Sequence, residues 1–583
     1  MPRWFKVILG VAGGAVVFLA AFIYFFFLLP MWGIPFNRQR HGLPPVTPAW
    51  ALEPWIWEDD TVTQASTEEL VNGYLAHDFP VGVILIDSPW SVRYNDFEWN
   101  RERFPEPEAM IRRFKEKGLR VVLWMTCFVN SQSEDTLIQD SSDWFREAAS
   151  KGYLATGNQQ IRWWKGRGGL IDYTNPQAVA WWRGMQDKVL RMGVDGWKLD
   201  GTGVYFRGGS LGPVPLLWGK TWGGLMSTRG YMDHYYRDEY RFGLETNPEF
   251  VTMSRSLDSV LPWGHPEGFA PIDASPVNWV GDNKHEWDDR NRGLERALRC
   301  ILDSAKLGYN VIGSDIGGYH GSKEIPPNLY IRWAQFSTFC GFFLNGGHGE
   351  RRMWLRSPQE LEIIRQYSWL HSELVPYMYT HVVKASRGDK PLMRPLKEGK
   401  YQYMFGDFLL IAPIYRDSET REVVLPPGKW RYWFDDQTVL EGGQTLTRNF
   451  PIDEYPVFVR DGAVIPMNIR RAYTGIGKQD WEGLLTLNIY PGDGAVFEVF
   501  YTDGVGTLNV DASRPGMISL EGFGRPHVLR VLVPGKPVTV TRDGAPLSEN
   551  KDWTYEASAG RLIITSRLPL TGRYEFTLEP SGK

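Results

Sequence analysis

"DGWKLDGTG", residues 195–203, ends an apolar run on a carboxylate and then breaks into glycines. Asp and Gly dominate ordinary turns, so Asp200 by itself fits a surface turn. The same pattern also suits a carboxylate at the C-terminal tip of a barrel strand, where catalytic groups gather. The chain around it favours the second reading. Eight short apolar runs read as strands: 51–57, 81–87, 119–126, 195–200, 250–255, 277–282, 309–315 and 337–345. Helical patterns such as 106–117 and 177–191 lie between most of them, as in successive βα units. Eight such units make a closed (β/α)8 barrel, an α/β fold. Several of the runs end on a polar residue, namely Asp87, Asp200, Arg255, Asp282 and Asp315.

Beyond about residue 386 the helical period stops. Alternating strands with Gly, Pro and Asp turns follow, as in "REVVLPPGKWRYWF" and "AVFEVFYTDG". They predict C-terminal antiparallel β-sandwich modules, with a break near 471–480. The expected organisation is a tail and anchor at 1–30, a linker at 31–47, the catalytic barrel at 48–385, a proximal sandwich at 386–472 and a distal one at 473–583.

The anchor rests on residues 7–30, "VILGVAGGAVVFLAAFIYFFFLLP", which carry no charge. At about 1.5 Å per residue such a helix crosses a hydrocarbon layer of roughly 30 Å. The run is longer than a signal-peptide core and ends without a small-x-small cleavage site, so one uncleaved transmembrane span is expected. Arg3 and Lys6 before it and Arg38 and Arg40 after it barely discriminate orientation. The short tail makes an N-inside anchor, with the large domain extracytoplasmic, the default.

A net charge of −4 without a Lys/Arg run argues against a nucleic-acid partner. The cysteines, Cys127, Cys300 and Cys340, have no metal, redox or disulfide spacing and read as buried thiols. "HEWDD" (285–289) lacks the second histidine of a zinc helix, so no metal or cofactor is expected. The 26 tryptophans suit either large cores or a site lined with flat faces for sugar rings.

Asp200 and Asp282, at the fourth and sixth strand ends, are placed to face each other across a barrel mouth. Two such carboxylates are the minimum for glycoside hydrolysis with retention: one attacks, the other shuttles the proton. The two roles require a proton donor whose pKa lies above that of the nucleophile.

The chain resembles glycoside hydrolase family 31, the retaining α-glucosidase, α-xylosidase and α-galactosidase group, over about residues 46–510. "WWKGRGGLIDYTNPQAVAWW" (163–182), "DGWKLDGTG", "SRS" (254–256), "NWVGDN" (278–283), "GSDIGGY" (313–319), "RWAQFSTF" (332–339) and "NGGHGE" (345–350) are similar to its barrel segments. "MFGDFLLIAPI" and "PVFVRDGAVIPM" are similar to its proximal sandwich, and "YTDGVG" to its distal one. The resemblance implies Asp200 as nucleophile and Asp282 as acid/base. It also implies a sugar subsite formed by Asp87, Trp164, Lys198, Arg255, Trp279, Asp315 and His348. Taken singly, each of these has a plainer reading: core tryptophan, ion-pair arginine, capping aspartate or loop histidine.

Two positions depart from the family pattern. Gly203 stands where an acidic residue is typical, and Thr126 where the third strand commonly ends on an acid or amide. The resemblance begins at the barrel, so a member without the family's usual N-terminal β-sandwich is expected. Loops at 130–170 and 201–245, or a partner, would then close the mouth. The expected activity is a membrane-anchored, exo-acting α-glycosidase on a terminal α-linked sugar of an oligosaccharide or glycoside. The alternatives are an α-transglycosylase using the same site and a catalytically silent glycan-binding membrane protein.

Overall fold

The computed structural model describes residues 2–32, 42–201, 210–211, 214–215, 217–258, 268–321 and 324–578. Eight parallel strands form one sheet: Trp55–Ile56, Val83–Ile86, Arg120–Met125, Gly196–Leu199, Val251–Arg255, Val277–Trp279, Ile312–Gly313 and Leu344–Asn345, here the first to eighth. Their spatial order is 7-6-5-4-3-2-1-8, and an isolated parallel bridge from Asp315 to Leu344 brings the ends together. This is the order of a nearly closed (β/α)8 barrel. All eight expected strands occur, but the run at 337–345 begins inside the helix Pro327–Thr338 and pairs only at Leu344–Asn345. A short apolar run that is buried on every side does not by itself distinguish a helix end from a strand.

The chain divides into two compact units, Met1–Gly42, Thr61–Glu68 and Leu85–Pro276 in one, Leu43–Asp60, Glu69–Ile84 and Val277–Lys583 in the other. In the first, the fourth strand is buried along its whole length between the third and fifth, so its sequence is apolar rather than alternating. Gly196 is required there: a Cβ would lie 2.3 Å from the Val251 carbonyl oxygen. Between the third strand and the helix Pro176–Leu190 sits a small antiparallel sheet of Phe128–Ser133, Ile161–Trp163 and Gly166–Leu170. The N-terminal segment is helical from Arg3 to Trp32, and Lys6–Met31 is long and apolar enough to cross a membrane. A signal sequence has the same character. Most of the expected linker, residues 33–41, lies outside the described residues.

In the second unit, the helix Leu294–Leu307 buries Leu294, Ala297, Leu298, Ile301, Leu302 and Ala305, the stripe of a surface helix, and stops at Gly308 with φ +108°. Antiparallel sheets follow from Met393. The pairing of Leu485–Ile489 with His527–Leu532 is parallel, an exception to the expected antiparallel pattern. The fully buried guanidinium of Arg332 donates to the carbonyls of Phe450 and Glu454, tying a barrel helix to a sandwich loop.

Candidate active site

Asp200 follows the last residue of the fourth strand and is 8% exposed. Its Oδ1 accepts from Arg255 Nε at 3.1 Å and from the Gly201 amide at 2.8 Å. Among the described residues, its Oδ2 accepts a single longer bond, 3.4 Å, from the Trp124 indole. Burial pushes the Asp200 pKa up, but the charges of Arg255 and Lys198 and the two Oδ1 bonds outweigh it, holding the carboxyl below its ordinary range. The Tyr235 hydroxyl donates to the Asp200 carbonyl at 3.1 Å, fixing the backbone at the strand tip.

The glycine that follows is dictated by this arrangement. Gly201 has φ +80°, and a Cβ there would meet the Thr126 methyl at 2.9 Å and the Trp164 ring at 3.5 Å. The turn therefore lets the backbone pass between the end of the third strand and Trp164. Trp164, 45% exposed, sits at the tip of the hairpin Ile161–Trp163/Gly166–Leu170. Its neighbour Trp163 is instead a core residue, stacked 4.4 Å from Phe128.

Lys198 and Asp87 form a buried pair at 2.7 Å, and the second Asp87 oxygen accepts the Ser88 amide. Removing either partner would strand a buried charge. Thr126 is fully buried, and its hydroxyl accepts from the Asn95 amide at 2.9 Å. The position where the family commonly has an acid or amide thus carries a hydroxyl already engaged within the fold. Arg255 also donates to Asp258 at 2.5 Å, so its charge is shared between two carboxylates. Gly203 lies outside the described residues.

The remaining candidates belong to the second unit. Asp282 follows the sixth strand and is half-buried. Trp279, inside that strand, is 1% exposed and pairs with Gly313. Asp315 follows the seventh strand and accepts from the Trp57 indole at 3.2 Å. The ring of Trp57 stacks on Tyr319 with centroids 5.9 Å apart. His348 is held between Asp60, 2.7 Å from Nδ1, and Asp59, 3.2 Å from Nε2. Asp59 also accepts from the Tyr319 hydroxyl at 2.5 Å. His348 is thus a positioned loop histidine with two carboxylate neighbours.

The glycosyl hydrolase family 31 TIM-barrel domain matches residues 44–381, and the C-terminal domain of the same family matches residues 388–465. The chain belongs to glycosyl hydrolase family 31. It is 26% identical over 459 residues to an alpha-xylosidase of Emericella nidulans, covering 74% of this chain and 54% of that one. It is also 26% identical over 471 residues to the neutral alpha-glucosidase AB of Homo sapiens, covering 77% and 48% respectively. This family 31 chain therefore spans about half the length of the curated relatives it matches. Among solved structures, the cycloalternan-forming enzyme of Listeria monocytogenes superposes with a TM-score of 0.78 at 22% identity, over 92% of this chain and 55% of that one. A Flavobacterium johnsoniae dextranase superposes with a TM-score of 0.77 at 20% identity, over 92% and 71%. Both share the fold.

Four neighbours of the candidate residues escaped the sequence reading: Trp124, Tyr235, Asn95 and Trp57. Trp124 had a local signal, since it lies two residues before Thr126 on a strand whose end was already singled out. Trp57 had one too, as the last residue of the expected strand 51–57. Tyr235 and Asn95 had none, because their partners are distant in the chain.

Proposed function

We propose that the protein is a retaining, exo-acting α-glycosidase in which Asp200 is the nucleophile and Asp282 the acid/base. The observation that supports this reading most is the asymmetry of the Asp200 carboxylate. Among the described residues, Oδ1 is occupied by two short bonds, whereas Oδ2 has one long one, which assigns Oδ2 as the attacking oxygen. Oδ2 forms a bond to the anomeric carbon as the glycosidic C–O bond breaks, and Asp282 gives its proton to the departing oxygen. Water then attacks the same carbon, Asp282 takes its proton and Asp200 is released. Two inversions give net retention. Asp87, Trp164, Lys198, Arg255, Trp279, Asp315 and His348 are assigned to the terminal sugar by the family pattern. The helix Lys6–Met31 is assigned as an uncleaved anchor with the catalytic part outside, and an α-linked oligosaccharide or glycoside as the substrate class.

The test is leaving-group dependence. Asp282→Ala should keep glycosylation by an activated dinitrophenyl α-glycoside, which needs little protonation. On a disaccharide it should lose about 10²–10⁴-fold, the range of general acid catalysis. Added azide should restore turnover of the activated substrate as the α-glycosyl azide. Equal losses on both substrates, or a β-azide, would remove Asp282 from this role. A transglycosylase reading shares every residue and finds support in a relative, the isomaltosyltransferase of Sporosarcina globispora, 24% identical. Products formed with and without an added sugar acceptor separate the two.

A further inference from the structure

The hairpin Trp218–Thr221/Gly224–Ser227 belongs to the segment that leads from Asp200 to the helix Thr228–Thr246. In a βα barrel such connections lie on the face that carries the strand C-termini. The hairpin is fastened to the barrel at its tip. The Trp222 amide donates to Asp172 and the Gly223 amide to Thr174, both at 2.8 Å. The same hairpin grips the N-terminal helix. Trp218 Nε1 donates to the Phe25 carbonyl at 2.8 Å, and the turn Leu29–Trp32 packs on Gly224–Ser227 and on the helix Thr228–Thr246. Below the grip, residues 7–24 leave about 27 Å of apolar helix, close to the hydrocarbon thickness of a bilayer. The grip point therefore coincides with the membrane boundary when that helix spans.

The hairpin is built for such a boundary. Trp222 is 67% exposed and Leu225 75% exposed, with the Lys220 side chain exposed beside them. Trp is a residue of the headgroup level. The nucleophile is also within reach. From Ser227 to Tyr235 is about 12 Å of helix, and the Tyr235 hydroxyl bonds the Asp200 backbone.

We infer that this hairpin rests in the membrane interface and that the enzyme acts on an α-glycosidic headgroup carried by a lipid. The inference rests on the glycosidase and anchor readings above, and names the substrate class of the same site. A headgroup of a few sugars, fixed by its own lipid, is held at the height of the hairpin Trp218–Thr221/Gly224–Ser227. A freely diffusing oligosaccharide gains nothing from an apolar hairpin beside the anchor.

The experiment uses the full chain in phosphatidylcholine vesicles. Cys127, Cys300 and Cys340 are buried, so Leu225→Cys can be labelled selectively with an environment-sensitive fluorophore. Quenching by a lipid-borne nitroxide, with protection from aqueous iodide, is expected; the reverse pattern overturns the placement. Separately, Trp222→Ser/Leu225→Ser is assayed on α-glucosyl and α-xylosyl diacylglycerol in the vesicle and on the matching soluble aryl glycosides. The expected result is roughly tenfold lower kcat/KM on the lipid-borne sugar, through lost effective concentration, with the aryl reaction unchanged. Equal rates of variant and wild type on the lipid-borne sugar, or no wild-type turnover of it, overturn the substrate assignment. Failure of the wild type on every soluble aryl α-glycoside would instead defeat the glycosidase reading, while the quenching result still decides the hairpin.

Discussion

The fourth strand carries a buried aspartate at each end, Asp195 before it and Asp200 after it, and the two are satisfied differently. Asp195, 2% exposed, accepts from Lys115, from Arg120 at 3.1 Å and from the Val121 amide at 2.8 Å. Its two oxygens are both committed to the third strand and to the helix preceding it. Among the described residues, Asp200 concentrates its short bonds on one oxygen and leaves the other with a single 3.4 Å partner. One strand thus separates a carboxylate that holds the barrel together from one available for chemistry. That division matches the known asymmetry of (β/α)8 barrels, stability at the N-terminal face and catalysis at the C-terminal face.

The hardest test of that contrast is Asp200→Asn, which should fold normally and lose turnover by roughly a thousandfold or more. Trapping with a 5-fluoro-α-glycosyl fluoride and mapping the adduct by mass spectrometry should place the label on Asp200. A label elsewhere would end the comparison. Arg255→Met should follow, at about a hundredfold in kcat/KM, since it removes a charge-assisted bond to Asp200, the proposed nucleophile.

Arg255→Met also carries a pH signature. As the proposed nucleophile, Asp200 must be ionised, and its pKa is depressed, so the acid limb of kcat/KM should lie below the ordinary carboxylate range. Without Arg255 the burial penalty meets less opposition, the pKa rises, and the acid limb moves to higher pH. An unmoved limb would show that Arg255 does not set the ionisation of Asp200. The same depressed pKa makes Asp200 stabilising above its unfolded-state value, a contribution lost as pH falls through the native one.

Gly201→Ala should cost about tenfold, because a Cβ at φ +80° displaces the turn and a small misplacement of a reacting group is expensive. Thermal unfolding of this variant should change little if the strain is confined to the turn. The smallest effect on catalysis is expected at the other end. Asp195→Asn should leave kcat/KM per folded molecule unchanged while lowering stability by about 2 kcal/mol, read from urea unfolding. A loss of activity without a loss of stability there would break the division between the two ends.

The sequence by itself was sufficient for the eight apolar runs, the change of pattern after the last barrel helices, the apolar N-terminal helix and the acidic strand tip. Those features are written in neighbouring residues: burial on both faces makes a strand uniformly apolar, and a left-handed turn demands glycine. The stretch 337–343 was misread because a buried helix end and a buried strand have the same composition. Only the tertiary structure decided which oxygen of Asp200 is bound, since Arg255 and Trp124 lie 55 and 76 residues away in sequence. It likewise paired Lys198 with Asp87 across 111 residues and committed Thr126 to Asn95. Trp164 and Trp279 show the limit most simply. The two are the same residue type in comparable motifs, yet one is 45% exposed and the other 1%. Local preference sets what each segment becomes, but exposure and partnership arise only when distant segments close on one another.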